Sequence, residues 1–175
     1  MEKVVLVDDK NREIGTADKA TVHTKNTPLH RGFSFFLFNS RNELLLTQRA
    51  FSKKTFPGVW SNTICGHPMP GESIGEAVRR RLESELNVRF TGEIKEASPY
   101  RYRFKDKSGI VENEICPIFI AYVDYEDDNN FTPNPEEVAD WQWIPWIELI
   151  ENIKMDPTQY SPWSVQEARI LEKIL

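Results

Sequence analysis

The chain has 175 residues, 39% hydrophobic and 11% aromatic, enough for one domain over 1–175 with a core that needs no disulfide staples. Its net charge of −5 excludes a nucleic-acid binder held by bulk charge. No apolar run approaches the ~20 residues of a membrane helix, and "MEKVVLVDDKNREIG" has no cleavage signature, so a cytoplasmic protein with no membrane partner is expected.

"VVLVDDKNREIG" (4–15) reads as strand, Asp/Asn-rich turn and strand. "GFSFFLFNSRNELLLTQRA" (32–50) repeats this more strongly, with a hairpin turn at "NSRN". The Gly/Pro-rich stretch 52–71 predicts loop, with one short strand near Trp60–Cys65. "ESIGEAVRRRLESELNV" (72–88) predicts the clearest helix. Ser73 is its cap, Glu76 stands in capping-box register, and Ala77, Val78, Leu82 and Leu86 form an apolar stripe. "YRYRF" (100–104) and a single long β-branched run, "GIVENEICPIFIAYV" (109–123), predict strands. The polar tract 124–137 reads as a surface loop. "VADWQWIPW" predicts a strand ending at Pro145, and helices follow near "PWIELIEN" and from "SPWSVQEARILEKIL". Strands with one central helix and late helices imply an α+β sandwich.

Basic residues cluster at 49–54, 79–81 and 101–103. Solvated faces explain most of them, and one local anion site is allowed. Cys65 and Cys116, far apart in a chain without an export signal, are expected as free thiols. Each of His23, His30 and His67, taken alone, reads as an ordinary surface histidine.

The carboxylates change the balance. Glu112 and Glu114 are two apart in a predicted strand, so both point to one face. Adjacent buried acids repel and lose hydration. Either that face is solvated, or a divalent cation neutralises the pair. With the three histidines, the set His23, His30, His67, Glu112 and Glu114 suits Mn²⁺, Zn²⁺ or Fe²⁺. Cys65 and His67 also share a face if their segment is extended, but the C-x2-C spacing of a structural zinc site is missing.

Gly66, Glu72 and Arg80 have the spacing of the Nudix box (Gly, five residues, Glu, seven residues, Arg). Arg81 and Ser84 stand where that box has glutamates, and Asn87 where it has glycine. A helix lacking two of the Mg²⁺-gathering glutamates is a poor hydrolase site, whereas an arginine there can contact a phosphate directly. With "HTKNTPLHRGFSFFLFN", "NTICGHP", "YRYR", "GIVENEICPIF" and "SPW", the chain resembles the type I isopentenyl-diphosphate Δ-isomerases from position 23 to 163.

That resemblance implies a Nudix-type α/β/α sandwich with a mixed β-sheet. It implies a cytoplasmic monomer of isoprenoid biosynthesis that interconverts isopentenyl and dimethylallyl diphosphate through a carbocation-like state. Cys65 and Glu114 match the family's catalytic pair, with Tyr102 assisting and the thiol activated by neighbours that lower its pKa. Lys19, Arg49, Lys53, Arg81 and Trp163 match substrate-binding positions. The His/Glu set matches a Mn²⁺ or Zn²⁺ site, and Glu85 with Cys65 matches a Mg²⁺ site shared with the diphosphate. Two rivals stand beside this reading: a Nudix diphosphate hydrolase, and a non-catalytic metal-binding module in which Cys65 is a ligand.

Overall fold

The computed structural model describes residues 2–124 and 131–175. In chain order the elements are β1 (Lys3–Val7), β2 (Glu13–Asp18), α1 (Lys19–Val22), β3 (His30–Arg31), β4 (Phe33–Asn39), β5 (Glu43–Arg49), β6 (Trp60–Ser61) and β7 (Ile64–Gly66). Then come α2 (Ile74–Leu86), β8 (Lys95–Ser98), β9 (Arg101–Lys105), β10 (Val111–Ile115), β11 (Ile118–Val123), β12 (Val138–Pro145), α3 (Trp146–Met155) and α4 (Pro162–Leu171), with a 3₁₀ turn at Pro157–Gln159 before α4. No helix among the described residues is long and apolar enough to cross a membrane.

Both sheets are mixed. One runs β2-β1-β3-β10-β9; the other runs β12-β5-β4-β11-β8, with β6 on β5 and β7 on β4. Strands β3 and β10 pair in parallel, as do β4 and β11. Strand β4 is buried along its whole length, and alternation divides it between two cores. Phe33, Phe35 and Leu37 join Ala77, Val78, Leu82 and Leu86 of α2. Phe36 and Phe38 join Leu149 and Ile153 of α3 and Val165, Ala168 and Leu171 of α4. Helix, sheet and helices thus form the α/β/α layers that the resemblance implies. Each of the Val, Leu, Ile and Phe side chains among them, when fully buried, contributes roughly 1.5–3 kcal/mol.

Helix α2 forms as its sequence predicts. Ser73 accepts from Glu76 N–H while the Glu76 carboxylate accepts from Ser73 N–H. Asn87 ends the helix with φ of 57°, and its N–H bonds to the Glu83 carbonyl. A left-handed C-cap favours glycine and tolerates asparagine, so this departure from the box leaves the helix end intact.

The long strand predicted over 109–123 is instead two. Pro117 has no N–H to donate, and the chain breaks at Cys116–Pro117, β10 entering one sheet and β11 the other. Cys116 therefore sits in the crossing between strands. The chain makes the same passage at Gly32, between β3 and β4. The two crossings are stitched by Gly32 N–H to Ile115 O (2.8 Å) and Ser34 N–H to Pro117 O (3.1 Å). This seam carries His30, Ser34, Glu114 and Cys116. The single strand predicted near Trp60–Cys65 is likewise two, β6 and β7. Of the predicted loop 124–137, residues 125–130 lie outside the described residues. Phe131 packs on the core, and Thr132 and Asn134 N–H groups bond to the carbonyls of Leu86 and Glu85.

Candidate active site

A cavity of about 410 Å³ is lined from both sheets: Cys65 and Gly66 come from β7, Tyr102, Glu112 and Glu114 from β9 and β10. Helices α1, α2 and α4 add Lys19, Arg81 and Trp163, and the chain around β5 adds Arg49 and Lys53. His23 and His67 also line it. His30, fully buried, stands behind its wall.

One ligand atom from each of His23, His30, His67 and Glu114 lies within 4.8 Å of the others. His30 Nδ1 is 2.9 Å from the Pro28 carbonyl. A neutral ring donates its proton there, which leaves the Nε2 lone pair facing His67 Nε2 at 3.2 Å. His67 Nε2 is 3.1 Å from Glu114 Oε1. His23 Nε2 is 3.0 Å from Glu112 Oε2 but is a buried nitrogen without a hydrogen bond. Converging imidazole lone pairs and carboxylates need a cation or shared protons between them, and this donor set fits a divalent metal. Glu112 lies at the edge of the cluster, its other oxygen accepting from Thr55.

The electrostatics follow. Burial opposes ionisation of Glu114, but His67 and His30 outweigh it and hold its pKa well below the ordinary value. Burial would likewise depress His30, but Glu114 raises it. His67 is lowered, mainly by burial.

Cys65 and His67 both border the cavity, as an extended segment requires. Both cysteines are free. The lowered thiol pKa expected for Cys65 is not found in the protein groups alone. The residue keeps some surface, but its sulfur is enclosed, and burial pushes the thiol well up. Tyr102 is raised by burial and by Glu114. It stacks on Trp163, rings 5.7 Å apart and inclined by 19°, and the Arg49 guanidinium carbon lies 5.3 Å from the Trp163 centroid.

Each cation at the cavity already has partners. Lys19 pairs with Glu2 at 2.8 Å, Lys53 pairs with Glu137, and Arg49 donates to the carbonyls of Phe56 and Thr55. Arg81 is buried against Glu85 (2.6 Å) and Glu137 (3.2 Å). Glu85 lines a small recess beside the main cavity with Cys65, Arg81 and Glu137; burial raises its pKa and Arg81 counters. An entering dianion must replace some of these carboxylates. Arg80 grips Glu72 with two nitrogens at 2.7 Å and also donates to the His67 carbonyl. The Glu–Arg pair of the box is thus a clasp that holds the metal-site segment to α2.

Sequence reasoning missed Glu2 and Glu137. Glu137 ends a tract read as loop, and nothing local marks it; its partners, Lys53 and Arg81, are 84 and 56 residues away.

Comparison with known proteins accords with this geometry. The NUDIX domain family model matches residues 28–164, so fold and site define a NUDIX-domain protein. A Deinococcus radiodurans crystal structure, DR0079, superposes with a TM-score of 0.75 at 19% identity, covering 96% of this chain and 98% of that one, a likeness of fold. Within this class the chain belongs to the isopentenyl-diphosphate Δ-isomerase family. It is 46% identical to the isopentenyl-diphosphate Delta-isomerase of Saccharopolyspora erythraea, over 99% of this chain and 88% of the relative. It is 47% identical to that of Paenarthrobacter aurescens, over 98% and 91%.

Proposed function

We propose that residues 1–175 act as one isomerase domain, a cytoplasmic monomer that interconverts isopentenyl diphosphate and dimethylallyl diphosphate. The observation that carries the reading is a single cavity that joins Cys65 of one sheet to Glu114 of the other, with an arginine-bearing helix at its charged end.

An isolated alkene is a very weak base and its allylic C–H a very weak acid, so the reaction needs a proton donor and an acceptor together, away from water. One of Cys65 and Glu114 delivers a proton to the terminal alkene carbon. The other removes one from the neighbouring methylene, and in the reverse direction they exchange roles. Tyr102, packed between Glu114's strand and Trp163, assists the transfer at Glu114. The π face of Trp163 shields the cationic carbon, an interaction worth ~2 kcal/mol when desolvated.

Lys19, Arg49, Lys53 and Arg81 bind the diphosphate. His23, His30, His67 and Glu114, with Glu112 beside them, would hold Mn²⁺ or Zn²⁺, and Glu85 beside Cys65 would hold Mg²⁺ with the diphosphate. Bound there, the cations supply positive charge that neutralises the paired carboxylates and the phosphates. The test compares two substrates. Protein reconstituted with Mn²⁺ and Mg²⁺ should isomerise isopentenyl diphosphate and release no phosphate from nucleoside diphosphate derivatives. The opposite outcome would assign the site to a hydrolase.

A further inference from the structure

Behind Cys65, helix α4 buries a carboxyl group that the proposed chemistry leaves unused. Glu167 is completely buried. Its Oε1 is 2.6 Å from Ser34 Oγ, and its Oε2 has no hydrogen-bond partner. Ser34, on the α4 side of β4, is 3.4 Å from Cys65 Sγ and 3.4 Å from Cys116 Sγ. Leaving a buried carboxyl oxygen unpaired is destabilising, so packing alone does not account for this residue. An apolar side chain would fill the same space without that penalty.

The proton count decides what the arrangement does. A serine hydroxyl has one proton and two acceptor lone pairs. Were Glu167 an anion, the Ser34 proton would be committed to it, and the sulfur of Cys65 would receive nothing. No cation pairs with Glu167 among the described residues and its Oε2 meets no donor, so nothing offsets the cost of burying it as an anion; burial pushes it up to about 8, against the pull of the Ser34 hydrogen bond. The carboxyl then keeps its own proton at neutral pH and donates it to Ser34 Oγ. The Cys116 thiol donates to the second lone pair, and the Ser34 proton is left to point at Cys65. On its other side the Cys65 thiol donates to Asn62 Oδ1 at 3.1 Å, an oxygen that the Ser61 and Ser164 hydroxyls also reach. The sulfur is thereby held as donor to Asn62 and acceptor from Ser34.

We propose that Glu167 is a positioning residue, which through Ser34 aims one hydroxyl proton at the Cys65 sulfur and so orients it and stabilises charge there during proton transfer. The inference rests on the isomerase reading. It predicts an effect on kcat rather than on KM, because charge on sulfur changes only as the proton moves.

The experiment measures kcat, KM and Tm of the metal-loaded wild type, Glu167→Met, Glu167→Gln, Ser34→Ala and the Ser34→Ala/Glu167→Met pair. Glu167→Met should lose about 10- to 100-fold in kcat, the weight of one hydrogen bond to a charged group, with KM unchanged and Tm not lowered. Glu167→Gln still offers an N–H to Ser34 and should stay within about threefold of wild type. The double variant should be no worse than the poorer single variant, as expected for two residues acting through one contact. Full kcat in Glu167→Met, failure of glutamine to rescue, or additive losses in the double variant would overturn the inference. Should Glu167→Met not fold, Ser34→Ala decides alone: wild-type kcat overturns it and the same loss upholds it. An inactive wild type would instead sink the isomerase reading, and this inference with it.

Discussion

Gly32 gives the sharpest test of how tightly the seam sets the chemistry. A Cβ built there would lie 2.0 Å from Glu114 Oε2, 3.0 Å from its Cδ and 3.4 Å from Cys116 Sγ. Nonbonded heavy atoms settle near ~3.5 Å, so in Gly32→Ala the Glu114 carboxylate must retreat by about 1 Å or more. It sits on the end of a rotatable side chain, so the fold gives way there at a cost of about 1–3 kcal/mol, typical of one added methyl in a packed region. The chemistry suffers more. Moving a reacting group by about 1 Å costs on the order of 10²-fold in rate, or about 2.7 kcal/mol of barrier. The same movement draws an oxygen away from the histidine cluster, so metal affinity should fall with it. Three measurements check this: kcat at saturating Mn²⁺ and Mg²⁺, metal content by elemental analysis, and Tm. A folded Gly32→Ala protein with wild-type kcat and metal content would show that the Glu114 carboxylate is not held where the reaction needs it.

Four other outcomes are expected. Cys65→Ala should abolish isomerisation while leaving fold and metal content intact, whereas Cys116→Ala should keep activity at a modest cost in Tm from its small cavity; the reverse result would exchange the roles of the two thiols. His67→Ala should lower metal content and activity together, by more than the roughly 10- to 100-fold in affinity that losing a group behind a ligand costs, and unchanged stoichiometry in the purified protein would remove His67 from the ligand set. Arg81→Ala should raise KM more than it lowers kcat. It also strips buried Glu85 of its ion-pair partner and leaves Glu137 with Lys53 alone, a loss of roughly 3–5 kcal/mol for a broken buried pair. Arg81→Glu should be worse still without creating a hydrolase, which kinetics across Mg²⁺ concentrations would check. Arg80 holds the Glu72 pKa below its ordinary 4.5. A depressed carboxylate stabilises the fold above the unfolded pKa and loses that contribution as pH falls through the folded value. The Tm gap between wild type and Glu72→Gln should therefore be present at pH 7 and shrink as pH falls below the ordinary 4.5 and through the lower folded value; a gap that does not shrink in acid would assign it to something other than the ion pair.

What the sequence made legible was local. The β4–β5 hairpin and the cap of α2 are encoded within a few residues of where they act. Glu112 and Glu114, and Cys65 and His67, were readable because a period of two puts each pair on one face. The break at Cys116–Pro117 was hidden because apolar residues flank it on both sides, and β3 has only two residues to show. Glu137 and Glu2 gain their meaning from lysines and arginines far away in the chain. Glu167 looks like any polar residue in an amphipathic helix until α4 is laid against Ser34. A thiol activated by its neighbours was the expectation for Cys65, but enclosure governs it among the protein groups, and enclosure cannot be read from a heptapeptide.

This cavity is built to move a proton onto one carbon and off another without touching the diphosphate. Isopentenyl diphosphate incubated with the metal-loaded protein in D₂O and followed by NMR tests it directly. Dimethylallyl diphosphate should accumulate with solvent deuterium in the methyl group formed from the alkene carbon, and inorganic phosphate should stay absent. Substrate that remains unlabelled and unisomerised, or that loses phosphate, would rule out proton transfer at Cys65 and Glu114.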